Sequence, residues 1–484
     1  MAAIEFSRFV RMAGRALLWL VAALLLLIAA WVLSNLRDID PVPRPAALAL
    51  PAPQLAEENN AYFALVGMRA QADREAAVVG RALWRLRRSA PVAPLSLPDR
   101  QAFAAQQRAE REALGESLAP PKALPCDASL PDCIGAWIAQ ADALGAQRQA
   151  QAVFGRRCEQ LLDEHFEFEE LLPATLHGAE TGAAHASTAN QCSQWLLSGA
   201  VLEWTRHRPA QAVALLVQAD RLNRALLAGG RSLIGQMIAL RATRHTLNAI
   251  TSLALRDPAM ATALAPLLAP WPDSVQAVRR WMVTEAAYGR NMLSLALREC
   301  YSVVDVVADD SVSWLEGAKG GLDSFMCRHQ IGWHPERTLV ANDELWLKRI
   351  AALDAGLPAA IESAAADSKV AESEGILGLL SWRNTMGNIV VAIGRHGSDS
   401  YVARQADIEL HREAAVLALQ AAPIAPMERA AWMARQEQSP IAKGRLSWDA
   451  AGQTLTARTW QQEYAGPSAF NAERDAIRIA WPKP

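Results

Sequence analysis

"PAQAVALLVQADRLNRALLAGGRSLIGQMIALRATRHTLNAITSLALRDP", Pro209 to Pro258, is the stretch from which the fold class is read. Pro209 opens a helix, because the first helical position needs no N–H and proline fixes the required φ. Leu215, Ala219, Leu222 and Leu226 recur at i, i+4, i+7 and i+11, the spacing of one helical face. Gly229-Gly230 stops that helix. Ser232 is placed to cap the next one, in which Leu233, Met237, Leu240, Leu247 and Ala254 line a face. "RDP", ending at Pro258, closes it. Two helices joined by a short glycine turn make an αα-hairpin.

The same grammar recurs. "WPDS" starts a helix near Ser274, and a late helix is expected from about Asp399 to Gln420. The predicted fold class is therefore mainly α, an irregular α-solenoid or helical bundle of antiparallel helix pairs. The chain shows no fixed period of about 34 residues. In the last fifty or so residues the pattern changes. "GRLSWDAAGQTLTAR" alternates around Gly452 as a β-hairpin does, and "AIRIAWPKP" offers a third strand, so a small β appendage is expected between Gly444 and Trp481.

At the other end, "ALLWLVAALLLLIAAWVL", Ala16 to Leu33, is 18 uncharged apolar residues. As a helix it measures roughly 27 Å, close to the hydrocarbon thickness of a bilayer. Arg8, Arg11 and Arg15 precede it, whereas Arg37, Asp38 and Asp40 follow it. That asymmetry places the N-terminus in the cytoplasm and the bulk across the membrane. Trp19 and Trp31 sit near its two ends. The reading is an uncleaved transmembrane anchor in the bacterial inner membrane, with a cleaved signal peptide as the competing reading.

The chain of 484 residues is long enough for two or three domains. With 51% hydrophobic and 20% charged residues it has a globular composition, and a formal charge of −2 gives no basic field for nucleic acid. The expected organisation is 1–15 cytoplasmic, 16–33 anchor, 34–54 Pro-rich linker, 55–300 helical domain, 301–335 irregular connection, 336–435 second helical unit and 436–484 β-hairpin tail. The stretch "EENNAYFALVGM", Glu57 to Met68, reads as the first docking helix of the folded part. Its acids lie at the helix start and its aromatics pack inward. As an acid–base pair Glu57 and Glu58 fail, because neighbours in sequence do not face one another on a helix.

Six cysteines, all on the exported side, suit disulfides in an oxidising compartment. Cys126 and Cys133 bracket a turn-rich loop and are the leading pair. Proximity suggests Cys158–Cys192 and Cys300–Cys327. No CxxC, P-loop, HExxH, dinucleotide fingerprint or nucleophile elbow is present, and neither a catalytic residue nor a cofactor is assigned. "CRHQIGWH" brings Cys327, His329 and His334 near Asp323, a weak metal candidate whose spacing matches no standard site. The acids of "DEHFEFEE", Asp163 to Glu170, read as a solvated face. Glu285 lies in an apolar stripe with Val278, Met282, Gly289 and Met292. A carboxylate there is either paired with an arginine or lines a groove between helices.

Four stretches, "EENNAYFALVGM", "SLIGQMIALRA", "WHPERTLVAND", and "NTMGN" with "YVARQAD", together resemble uncharacterised single-pass, exported helical proteins of Gram-negative bacteria. The resemblance implies topology and fold and attaches no activity. The functional expectation is a membrane-tethered periplasmic interaction or scaffold protein that meets another envelope protein. The alternative is a hydrolase-like envelope enzyme whose site lies in a helical groove. Sixteen tryptophans leave room for aromatic anchors at an interface.

Overall fold

A run of leucine, alanine and valine free of proline keeps α1 continuous from Ala2 to Ser34. Within it, Gly14–Ser34 is long and apolar enough to cross a membrane, with mean hydropathy 2.8 and none of its apolar window buried. The protein is seen here as a computed structural model that describes residues 2–35, 38–88, 97–115, 133–163, 167–172, 184–271, 273–302, 333–367, 384–461 and 477–481. These lie in two units. The first comprises Met1–Ala46, Gly289–Leu347 and Ala366–His396; the second comprises Ala47–Tyr288, Lys348–Ala365 and Gly397–Pro484.

In the first unit the exit of α1 is built into the fold. Asn35 is fully buried. Its Nδ2 donates to the Trp31 carbonyl at 2.9 Å, and its Oδ1 accepts from the Asn384 backbone N–H at 3.3 Å. Asp38 caps the helix Pro335–Ala352 (here α13) by accepting from the N–H groups of Glu336 and Arg337 at 2.7 and 3.3 Å. A carboxylate at that end satisfies orphan donors and meets the positive end of the helix dipole.

The second unit contains the helices α2 (Tyr62–Val66), α3 (Ala76–Arg88), α4 (Leu97–Ala113), α5 (Cys133–Ala139), α6 (Ala141–Ala150), α7 (Ala152–Asp163), α8 (Ala184–Thr205), α9 (Pro209–Gly229), α10 (Leu233–Arg256) and α11 (Pro258–Leu264). It also holds most of α12 (Ser274–Ser302), α14 (residues 357–367), the later part of α15 (Thr385–Ala421), and α16 (Arg429–Met433). Its centre is the stack of α8, α9 and α10. Leu196 and Val201, Leu216 and Leu222, and Leu247 and Ile250 are fully buried between them. Asn223 ties the three together, donating to Ser193 at 3.2 Å and Thr246 at 2.9 Å. The hairpin read from sequence is present, with Ser232 capping α10 through Gly235 N–H at 3.1 Å. Most of the expected stripes is buried, including Ala219, Leu222, Leu226, Leu240, Leu247 and Ala254. Leu215, Leu233 and Met237 are only half-buried, because each helix packs against two neighbours.

Glu57 and Glu58 lie in an exposed turn, and the first helix of this region is only Tyr62–Val66. Asn60 holds that turn. It donates to the Glu169 carbonyl at 2.8 Å and accepts from the N–H of Tyr62 at 3.0 Å and of Glu169 at 3.1 Å. Gly67 and Gly80 let α2 and α3 touch backbone to backbone. A Cβ on Gly67 would lie 1.9 Å from the Ala76 oxygen, and one on Gly80 1.7 Å from that of Phe63. The Pro-rich stretch after Asp40 is fastened here too, with Leu48 buried and the Pro51 carbonyl accepting from Arg231 at 2.8 Å.

Cys158 of α7 and Cys192 of α8 form a disulfide, 34 residues apart and fully buried. Cys126 and the side chain of Cys133 lie outside the described residues, as do Cys327 and the side chain of Cys300. Closing a loop of that length stabilises the fold by about 3–4 kcal/mol. Cys158→Ala with Cys192→Ala is expected to lower the melting temperature by several degrees. Peptide mapping of native, unreduced protein is expected to show the two linked.

The C-terminal β appendage is a three-stranded antiparallel sheet in the order β1 (Leu446–Asp449), β2 (Thr454–Ala457), β3 (Ile477–Ala480). Its inward residues Leu455 and Ile479 join the main core. Asp407 of α15 holds the chain beyond β2 by accepting from the N–H groups of Trp460 at 2.6 Å and Gln461 at 3.3 Å. Burial pushes its pKa up to about 7 from 3.8, against the opposing pull of those two N–H groups and of Arg244 and Arg445. A raised carboxyl pKa means the folded state holds the proton more tightly, so stability falls as pH climbs from about 4 to about 7. Asp407→Asn mimics the protonated acid. It is expected to flatten that pH dependence, with a gain at pH 8 of at most about 4 kcal/mol in urea unfolding.

Candidate functional site

A dense polar cluster of the second unit sits at the start of α10. Glu169 and Glu170 follow α7, in an extended segment and not on a solvated helical face. Both are buried. Extended geometry turns their side chains to opposite sides. Glu169 pairs with the Arg231 guanidinium and accepts from the N–H groups of Gln54 and Leu55 at 2.7 and 2.8 Å. Glu170 accepts from the N–H groups of Arg231 and Ser232 at 2.6 and 2.7 Å and from the Ser232 hydroxyl at 2.6 Å. His185 Nε2 stands 3.1 Å from it. Burial would push the Glu170 pKa up, but the His185 charge and the hydrogen bonds from His185 and Ser232 win and hold it near 2.

Glu285 reaches the same helix end from α12. It is half-buried, and its Oε1 accepts from Leu233 N–H at 3.2 Å. Its partner is a backbone amide, and among the described residues it makes no ion pair with an arginine. Burial raises its pKa, the Leu233 N–H partly offsets this, and the Glu170 charge adds to the rise. Tyr288, one turn on, is raised by burial and by Glu285.

The cluster has serine, histidine and carboxylates within reach of each other, but not in an order that passes a proton. The Ser232 hydroxyl donates to Glu170 and accepts from Gly235 N–H, so both of its roles are engaged in capping. His185 stands on Glu170, not on Ser232. A nucleophile needs the base between itself and the orienting acid. The arrangement closes the start of α10 and fixes the strap of residues 51–55. His334, from the weak metal set, is fully buried in the first unit. Its Nε2 donates to the Asn35 carbonyl at 3.3 Å, and its Nδ1 lies 3.9 Å from Asp38. Cys327, His329 and Asp323 lie outside the described residues. Among those described, no three His, Cys, Asp or Glu side chains are grouped to hold a metal.

A second feature of this unit is open. A cleft of about 590 Å³ runs along α8 between α6–α7 and α9, within the size range of ligand sites. Each helix gives it one small residue: Gly145, Ala152, Gly199 and Ala214. On one side the Arg148 guanidinium lies 3.7 Å over the Trp195 ring and donates to the Trp195 carbonyl and to Ser198. Burial lowers its pKa to about 10, against the pull of Glu159 and Glu203. Gln149, Gln211 and Gln218 also line the cleft, and among the described residues their side-chain amides make no hydrogen bond. The Gln218 Oε1 is shielded from solvent as well. Arg156 is exposed there and pairs with no carboxylate among the described residues.

Sequence reading passed over this cleft, since its polar residues sit at ordinary solvated-face spacings on four helices. It also missed Glu169 and Glu170, whose side-chain partners are 61 or more residues away except for His185. Comparison with family models, characterised proteins and solved structures returns no match. Fold and site define a helical protein with one N-terminal apolar helix and a ligand-sized cleft lined by both polar and apolar residues.

Glu170 and Glu285 are expected to respond differently to loss of charge. Glu170→Gln breaks a buried pair and is expected to cost about 3–5 kcal/mol, read as a fall in the urea midpoint. Glu285→Gln keeps an acceptor for Leu233 N–H and loses no cation, so a change under about 1 kcal/mol is expected. Because its folded pKa is depressed from 4.5, Glu170 also makes stability fall as pH drops from about 4.5 towards 2.

Proposed function

We propose that the protein is a membrane-tethered binding or scaffold protein of the bacterial periplasm, which holds another envelope component in the cleft along α8. The apolar helix supports the tether. Arg8, Arg11 and Arg15 before it, with the acids after it, support a cytoplasmic N-terminus in the inner membrane, and the Cys158–Cys192 disulfide supports an oxidising compartment. Binding instead of catalysis is carried by one contrast. Glu170, the Ser232 hydroxyl and the His185 Nε2 are engaged in holding the fold, whereas among the described residues the side-chain amides of the cleft glutamines have no partner. An envelope hydrolase is the second reading, because Glu285 is a half-buried carboxyl with a raised pKa, and among the described residues its Oε2 accepts no hydrogen bond.

A photo-reactive amino acid at Gln211, in the cleft, is expected to give a discrete crosslinked adduct in intact cells. The same probe at Met427, 89% exposed, is expected to give none. Equal labelling from the two positions, or none from Gln211, would remove the cleft as the binding surface.

A further inference from the structure

We infer that the cleft takes an extended peptide segment carrying a carboxylate. This rests on the reading of the cleft as the binding surface and names the class of its occupant. The unpaired groups are amides. Gln149 on α6 stands on one side, Gln211 and Gln218 on α9 on the other. A side-chain amide both donates and accepts, which is what successive N–H and C=O groups of an extended chain require. Gln211 and Gln218 are seven residues apart, roughly 10 Å along the helix at 1.5 Å per residue. That spans about three residues of extended chain at 3.3 Å each.

The walls fit a backbone. Gly145, Ala152 and Ala214 leave the sides low, and a Cβ built on Gly145 meets nothing within 4 Å, whereas Gly199 is covered by Arg148 and Leu215. A flat ring is a poorer fit. Trp195 is the aromatic residue of the cleft, but it is 7% exposed and covered by Arg148, so no ring face is free for stacking. Charge selects the end group. Three arginines face two glutamates in the cleft. Glu203 accepts from Arg206 at 3.0 Å and from Arg208 at 3.4 Å, and Arg148 lies 3.8 Å from Glu159. Among the described residues the cleft arginine without a carboxylate partner is Arg156, whose fork suits a carboxylate.

The test uses the full chain in lipid nanodiscs on an array of random-sequence nonapeptides, with a glycan array in parallel. Bound peptides are expected to be enriched in Asp and Glu. Gln211→Ala with Gln218→Ala is expected to weaken them at least tenfold at an unchanged melting temperature. Arg156→Glu is expected to shift the preference to Lys and Arg, an exchange that misfolding cannot produce. Peptide binding that ignores these substitutions, or binding to the glycans alone, would overturn the inference. So would a blank peptide array alongside a persisting Gln211 adduct in cells, which would leave the binding role standing. Loss of both signals would remove both.

Discussion

The rest of the second unit depends on burying two adjacent carboxylates, Glu169 and Glu170, against the start of α10. Buried charges are tolerated only when paired and hydrogen-bonded. Here the extended backbone sends one to Arg231 and the other to His185, Ser232 and two backbone N–H groups. Through Arg231 and Glu169 the strap of residues 51–55 is fixed, through Asn60 the entry to α2, and through Ser232 the cap of α10. Four distant parts of the chain therefore share one electrostatic centre. A residue that looks catalytic in isolation, Ser232 or His185, is engaged in that centre.

The exit of α1 follows the same logic in the first unit. An apolar helix whose membrane-length window has no buried residue ends in Asn35, which is fully buried, and Asp38, which caps α13. The residues that leave the helix are thus part of the folded core. Asn384 completes the knot with φ at 56°, a backbone conformation asparagine tolerates better than most residues. Its Oδ1 accepts from His334 N–H at 2.7 Å.

The cleft along α8 stands apart from both knots. Among the described residues its glutamines and Arg156 have no internal partners, so ordering them against a ligand breaks no contact seen there. Its Arg148–Trp195 stack is rigid, held by two hydrogen bonds and a disulfide-linked neighbour helix. Rigid walls with free polar tips lower the ordering cost of binding.

Short-range chemistry was legible in the sequence. Pro209, Gly229-Gly230 and Ser232 marked the ends of α9 and α10, the alternation around Gly452 gave the hairpin, and the run from Ala16 to Leu33 gave the apolar helix. These features act within one or two turns of chain, so local sequence determines them. Tertiary structure alone decided the rest. Glu169 and Glu170 read as solvated because their extended backbone, Asn60 and Arg231 cannot be foreseen from "DEHFEFEE". Glu285 met a backbone amide instead of an arginine, because where α12 crosses the end of α10 sets its partner. The cleft required four helix faces to converge, and each face by itself carries the pattern of an ordinary wet surface. Charge and polarity are written in the sequence, but their partners are chosen by packing, which acts across separations that no local pattern encodes.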